Sequence, residues 1–492
     1  MQGIQDRRGA VSGRRYTMSR KRLPIFPRTD AGNAELFAAR YGDRVCYDHR
    51  QGRWLIWDTS GRRWAQDTEE KICVLAIAAA RSRFRSALNI AGEDERKREA
   101  NWAIKSEYRY RLEASIEIAK ALSPISDSGT NWDCDPWLLG VANGIVDLRT
   151  GKVRTEQTVD RITKHSPVQF NPDATCPRFE EFLSEIFRED KQLIGYIQRA
   201  VGYSLTGSIS EQCLFCCHGS GANGKSTLFG VLHYIFGLGE YAANLPFSAL
   251  EFQNRNSNDL VLLVGARFVT AAETREGARL NEQRIKSLTG GDLITARRLY
   301  HDPFTFSPTH KLWLAFNHKP IIADASEGMW RRVRLIPFTR QFKPNEQDKS
   351  LVDTLRTESP GILAWAVKGC LDWQKDGLGM PSAVAEATAV YRAESDHLGQ
   401  FIDECCVIDT GTQVPVTEMW RMYLQWVAEN EEVPLARQSF GERLEKKGFS
   451  KGRSGHQGTR VWKGIALCAD MLTSADKDSN KDPVAGTISE NL

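Results

Sequence analysis

The sequence has no apolar run long enough to cross a bilayer. A spanning helix needs roughly 18 or more consecutive apolar residues, and the longest candidate, "VLAIAAA" at 74–80, has only the length of a helix core segment. No membrane partner is expected. The N-terminus lacks the apolar stretch that opens a secretory signal. Cysteine occurs eleven times but without the spacing of a disulfide framework: Cys216 and Cys217 are adjacent, as are Cys405 and Cys406, and the C-x-x-C of Cys213 and Cys216 has no second pair at zinc-knuckle distance. These read as reduced core thiols of a cytosolic protein. A strong charge of one sign is also missing, since the net charge is only +4. Its distribution is uneven, because the first 28 residues carry eight Arg/Lys against the single Asp6. That segment is either a flexible basic arm able to touch a polyanion or an unstructured leader with Met18 as the native start.

What is present is a phosphate-binding signature. "HGSGANGKSTLFG" at 218–230 follows the apolar run "CLFCC", so a strand enters a glycine-rich turn and then a helix. The cradle spans Gly219, Ser220, Gly221, Ala222, Asn223, Gly224, Lys225, Ser226 and Thr227 and fits G-x-x-x-x-G-K-[ST]. In that pattern backbone N–H groups turn inward on the phosphates, with Lys225 on the β and γ oxygens and Ser226 on Mg²⁺. The helix N-terminus adds its positive dipole end. ATP and Mg²⁺ are the expected ligands.

Two further strands supply polar tips. "LVGARFVTAAETREG" at 263–277 ends in Glu273, placed to orient Mg²⁺ or polarise the attacking water. "HKLWLAFNHKP" at 310–320 ends in Asn317, an amide able to hold that water, and the order of turn, acidic tip and polar tip is that of an AAA+ type core. In "GMWRRVRLIPF" at 328–338, Arg331 and Arg332 open an apolar strand, where a guanidinium could reach a neighbouring subunit's γ-phosphate. Between the acidic and polar strands, residues 286–312 read as a β-hairpin with Arg297, Arg298 and Tyr300 near its tip, the pairing of cations and a ring that single-stranded DNA requires.

The remaining chain divides as follows: a basic arm at 1–29, an N-terminal α+β module at 30–175, the nucleotide-binding core at 176–345, a helical lid or linker at 346–407, a winged-helix-like DNA-binding region at 408–467 and a polar tail at 468–492 expected to be disordered. Trp54, Trp57 and Trp64 are expected to pack a small sheet, and Asp133 and Asp135 to serve a loop and not a metal. In the C-terminal region "RQSFGERLEKKGF" reads as a recognition-type helix and 450–467 as a basic hairpin, with Arg443, Lys446, Lys447, Lys451, Arg453 and Arg460 available to phosphates.

Taken together, "GSGANGKST", "RFVTAAETREGARLNEQRIKSLTGGDLITARRLY", "KLWLAFNHKP" and "GMWRRVRLIPF" resemble the superfamily III helicase core of phage and plasmid primase-helicases, over roughly residues 30–466. The resemblance implies an α/β fold with an AAA+ core and a hexameric ring around single-stranded DNA. It also implies ATP bound between subunits and 3′-to-5′ translocation. Lys225 and Ser226 would be the Walker A pair, Glu273 the Walker B acid, Asn317 the sensor, and Arg332 or Arg331 the finger given to the next subunit. No large primase catalytic domain is found at the N-terminus, so primer synthesis by this polypeptide is not expected, and a separate primase or polymerase is the implied partner. The expected setting is the cytoplasm of a bacterium or an infected host cell. An ATP-driven helicase acting on single-stranded and forked DNA is the leading function. A replication initiator or loader that uses ATP only to assemble is the alternative, and a small-molecule kinase has no use for the hairpin or the basic C-terminus.

Overall fold

A computed structural model of the chain describes residues 26–252, 257–273, 275–323, 326–430, 434–454 and 458–468. The basic arm up to residue 25 and the tail from 469 lie outside the described residues. Among those described, no helix is long and apolar enough to cross a membrane. All eleven cysteines are free, and the strand thiols Cys213 and Cys216 are buried, with burial pushing Cys213 up to about 12.

The chain forms two compact units, one of residues up to Cys134 plus Thr155–Thr163 and one of the rest. In the first unit the tryptophans do what alternation requires. Arg53–Asp58 and Arg63–Gln66 pair antiparallel with Trp57 opposite Trp64, and Trp64 packs edge-on against Trp132 at 5.2 Å. Trp54 points to the other face, onto Tyr47 at 5.0 Å. The stretch after residue 92 forms two helices, Glu93–Ser106 and Arg109–Ala119. The first buries Glu99, Ala103 and Ser106, whereas the second buries Leu112, Ser115 and Ala119. No single helix has both sets on one face, so the chain breaks between them and restarts in phase.

The expected boundary at 175 is not where the compact units divide: residues 135–154 and 164–175 go with the second unit. Leu139, Val141, Val146, Leu148, Val168 and Phe170 bury themselves in that unit's main core. Gly144–Asp147 and Lys152–Arg154 form a hairpin, joined by Leu138–Val141 into three antiparallel strands.

The second unit is built on helices α1 (Pro177–Ile186) and α2 (Lys191–Leu205) and a wholly parallel sheet. Its strands in chain order are β1 (Leu214–His218), β2 (Ala242–Asn244) and β3 (Phe268–Glu273), then the separate hairpin strands β4 (Ile294–Arg297) and β5 (Pro303–Phe306), then β6 (Lys311–Phe316) and β7 (Val333–Pro337). The sheet order is β7-β1-β6-β3-β2. Strands covered on both faces read as continuous apolar runs, as "LFCC" and "LWLAF" do. After α3 (Lys225–Phe236), helices α4 (Ser359–Asp376) and α5 (Ser382–Glu394) complete the cover. Gly202 of α2 lies so close to α4 that a Cβ there would come within 2.1 Å of the Cys370 amide nitrogen. The C-terminal region has its own apolar core. It comprises strand β8 (Gln413–Pro415), helices α6 (Val416–Glu429) and α7 (Arg437–Lys446), and strands β9 (Ser450–Ser454) and β10 (Thr459–Lys463), with sheet order β8-β10-β9.

Two buried cations hold the starting edge of the parallel sheet. Arg267, just before β3, donates to the carbonyls of Leu205 (2.7 Å) and Leu138 (2.8 Å). Lys311 at the start of β6 donates to the carbonyls of Thr206, Ser208 and Thr309, and burial together with Arg267 pushes its amine well below the usual lysine range. His310 beside it is buried and held down to about 3 by desolvation and by Lys311.

His310 gives a pH signature. The unfolded chain protonates it below about 6.5 while the folded chain resists to about 3. Stability therefore falls as pH drops through that window, by about 1.4 kcal/mol per pH unit for one proton. His310→Phe should flatten the pH dependence of chemical denaturation by that slope, and identical slopes in the two proteins would show that this imidazole is not the acceptor.

Candidate functional site

A parallel sheet delivers the ends of its strands to one edge, and here three chemically useful ends arrive side by side. β1 leads into the turn 219–224 and α3. Gly219 has no room for a side chain, because a Cβ would lie 2.5 Å from the Phe338 carbonyl oxygen and 2.2 Å from Asn223 Nδ2. Gly224 has φ +86° and would drive a Cβ to 2.6 Å from Ile186 of α1, so α1 is the floor on which the turn rests. Gly221 and Ala222 also have positive φ, and Ser220 is exposed. Successive backbone conformations of this kind aim N–H groups into a concavity that suits an anion.

The Lys225 ammonium is 2.5 Å from the Gly219 carbonyl oxygen and 3.2 Å from Asn317 Oδ1. Burial lowers its affinity for the proton, and neither oxygen carries a full charge. Asn223, 4% exposed, has a buried Nδ2 with no hydrogen-bond acceptor among the described residues. A desolvated cation and an unmatched amide donor in one turn fit an incoming anion. Ser226 is exposed on the first turn of α3 and Thr227 half-buried behind it. On the next strands, Glu273 ends β3 opposite Phe316 of β6, and Asn317 follows Phe316 directly. Glu273 is half-buried and accepts from the Arg275 amide at 2.6 Å. The structure thus brings Lys225, Asn317 and Glu273 to a common edge.

The arginines lie at the opposite edge, since Val333 of β7 is level with Leu214 at the start of β1. Arg332 is buried and committed within its own chain, donating from Nε to Thr289 Oγ1 at 3.1 Å and also to the Gly328 carbonyl. Arg331 is exposed and rests on Gln212 Oε1 at 3.2 Å. Of the two, only Arg331 presents its guanidinium outward.

The hairpin β4–β5 forms with Arg297 opposite Pro303. Arg297 Nε turns back to the His301 carbonyl at 3.0 Å, while Arg298 lies 5.8 Å from the Phe304 ring. Tyr300, in a left-handed conformation at φ 62°, is 99% exposed, and Leu299 beside it is 66% exposed. In the C-terminal region the candidate cations separate by partner. Lys447 holds Asp396 at 2.7 Å and Lys451 holds Glu445 at 3.0 Å, and Arg443 turns inward to the Ala323 carbonyl. The exposed side of α7 also carries Glu442 and Glu445. Lys446 is exposed, and Arg453 and Arg460 are exposed directly opposite each other on β9 and β10. Like charges in that arrangement are unfavourable without an anion between them.

Asp133 and Asp135 are loop fasteners. Asp133 accepts from the Thr163 amide (2.7 Å) and hydroxyl (2.6 Å), and Asp135 accepts from the Trp137 amide and pairs with Arg149 at 3.1 Å. No cluster of three or more metal-ligating side chains occurs among the described residues. Sequence reasoning missed the loop after Asn317. There Lys319 pairs with Glu394 of α5 at 2.6 Å, the Pro320 carbonyl accepts from Tyr391, and Ala323 accepts from Arg443. A lysine two positions beyond the polar tip was the available signal.

Three family models match the chain in succession: "D5 N terminal like" over 34–188, a family of unknown function (DUF5906) over 217–332, and "Poxvirus D5 protein-like" over 393–464. Among curated relatives, "Putative helicase L207/L206" of Acanthamoeba polyphaga mimivirus is 28% identical over 61% of this chain and 34% of its own length. "Putative primase C962R" of African swine fever virus (isolate Warthog/Namibia/Wart80/1980) is 27% identical over 41% of this chain and 22% of its own. The chain thus spans about a third or less of these two relatives. The apo structure of the NrS-1 C terminal region matches 89% of this chain and 100% of that one, at 10% identity and a TM-score of 0.47. With D5-type matches on either side of the glycine-rich turn, the chain is similar to proteins named as putative helicases and primases of large DNA viruses.

Proposed function

We propose that the chain is the ATP-hydrolysing, DNA-translocating part of a viral, phage or plasmid replication helicase, working as a hexameric ring with an AAA+ type core and a winged-helix-like C-terminal module. The observation that carries this reading is the meeting of the Lys225 ammonium with Asn317 Oδ1 at the sheet edge where Glu273 also ends. Backbone N–H groups of 219–224, the Asn223 amide and Lys225 hold the triphosphate of ATP, replacing the carbonyl and amide oxygens that Lys225 holds in the structure. Ser226 and Glu273 would hold Mg²⁺, which when bound would neutralise charge on the triphosphate. Asn317, released from Lys225, orients the attacking water, and Glu273 takes its proton. Arg331 reaches the γ-phosphate on the adjoining protomer, where charge develops as the bond to the leaving oxygen breaks.

Arg298 and Tyr300 supply the DNA grip, a cation and a stacking face at the tip of a hairpin inserted between β3 and β6. Because that hairpin connects the two strands whose ends face the nucleotide, a change at either end has a short path to the DNA, and translocation runs 3′ to 5′. A second reading, an initiator or loader that binds origin DNA, is favoured by one observation, the exposed Arg453–Arg460 pair.

Three outcomes test this reading. Lys225→Ala should lower ATP turnover by about 10²-fold or more and abolish unwinding of a forked duplex; unwinding that persists without hydrolysable ATP favours the loader. Arg331→Ala should lose turnover alone and regain it when mixed with Lys225→Ala protomers, whereas Arg332→Ala should lower the melting temperature instead. Tyr300→Ala should weaken single-stranded DNA binding by roughly 5- to 100-fold, the range of one lost stacking contact, with ATPase in the absence of DNA unchanged.

A further inference from the structure

The nucleotide reading leaves the nucleoside without a seat, and the sheet order offers a side of the turn away from Asn317. Lys225 and Asn317 mark the γ-phosphate end on the β6 side of β1. β7 is on the other side of β1. The chain leaving β7 does not depart from the site. It stays on the turn, with the Phe338 amide bonded to the His218 carbonyl at 2.7 Å and the Phe342 amide bonded to the Ala222 carbonyl at 2.8 Å. Between these anchors Arg340 lays its guanidinium 5.2 Å from the centroid of the Phe342 ring. Arg340 is also held by Glu346 at 3.1 Å, and its side chain is 40% exposed. Arg188 reaches over from the end of α1 to the Thr339 carbonyl at 3.1 Å, pinning the same segment.

We propose that Arg340 and Phe342 form the seat for the base of the bound nucleoside triphosphate, on the β7 side of the phosphate turn. The proposal rests on the nucleotide reading above and adds the chemistry of the ligand's other end. A guanidinium and an aromatic ring, both planar and backed by the turn, offer a stacking face for a flat π-system. Stacking rewards area and does not read the hydrogen-bonding edge of a base, so purine triphosphates are preferred over pyrimidine ones, with ATP and GTP accepted about equally. The segment's two backbone anchors set the distance between this seat and the phosphates, because both bonds are to residues of the phosphate-binding strand and turn themselves.

Equilibrium binding of ATP, GTP, CTP and inorganic tripolyphosphate, each with Mg²⁺, to the full chain tests this. Arg340→Ala and Phe342→Leu should each weaken ATP and GTP by about tenfold while leaving tripolyphosphate within about twofold, the loss expected for a stacking contact. Phe342→Leu retains apolar bulk against the core that Phe342 partly joins, and Arg340→Ala removes an exposed side chain, so loss of fold does not obscure the result. Equal loss of ATP and tripolyphosphate would show that the segment only props the turn, and no loss of either would place the base elsewhere; both overturn the proposal. If the unaltered chain binds ATP no better than tripolyphosphate, the base seat fails and the phosphate site stands. If it binds neither, the nucleotide reading fails as well.

Discussion

A single buried ammonium organises the candidate site. Taking the Lys225 charge out of water is costly, and the two neutral oxygens that receive it offset only part of that cost. The geometry around it follows from this need. Gly219 and Gly224 leave the turn free to close on the amine, α1 supports the turn from below, and β6 is adjacent to β1 so that Asn317 can reach across. A positive charge short of a counter-charge, next to a buried Asn223 donor short of an acceptor among the described residues, is chemically suited to an anion.

The opposite edge of the same sheet solves a similar problem without any vacancy for a ligand. Lys311 and Arg267 are as deeply buried, yet each meets several carbonyls, Lys311 those of Thr206, Ser208 and Thr309 and Arg267 those of Leu205, Asp135 and Leu138. Their role is to clamp the starts of β3 and β6, so that the ends of those strands, Glu273 and Asn317, emerge in fixed register. One edge of the sheet is thus saturated and structural while the other is under-satisfied and available for chemistry. The exposed Arg331 belongs to the saturated edge, at the opposite end of β1 from the glycine-rich turn.

Local pattern made much of this legible. The phosphate turn, the strand tips at Glu273 and Asn317 and the hairpin about 298–302 are each encoded within a few residues, by glycines, apolar alternation and a polar terminus. What stayed hidden depends on distant partners. Residues 138–154 and 164–170 read as part of an N-terminal module because nothing local reveals that Gly140 will donate to the Tyr241 hydroxyl at 3.0 Å. Arg331 and Arg332 are equivalent as text, and only Thr289, far back in the chain, separates the buried one from the exposed one. The basic character of 443–460 was plain, but the carboxylates that occupy Lys447 and Lys451 and the inward turn of Arg443 were not.

The short connection after Asn317 has a mechanical consequence. Its first residue is held by the Lys225 ammonium, and Lys319, Pro320 and Ala323 are each fastened to α5 or to α7. A tether so brief, secured at so many points, has little slack with which to absorb a displacement. A displacement of Asn317 would therefore be handed on to α5 and α7, because the connection between them has no spare length in which to absorb it.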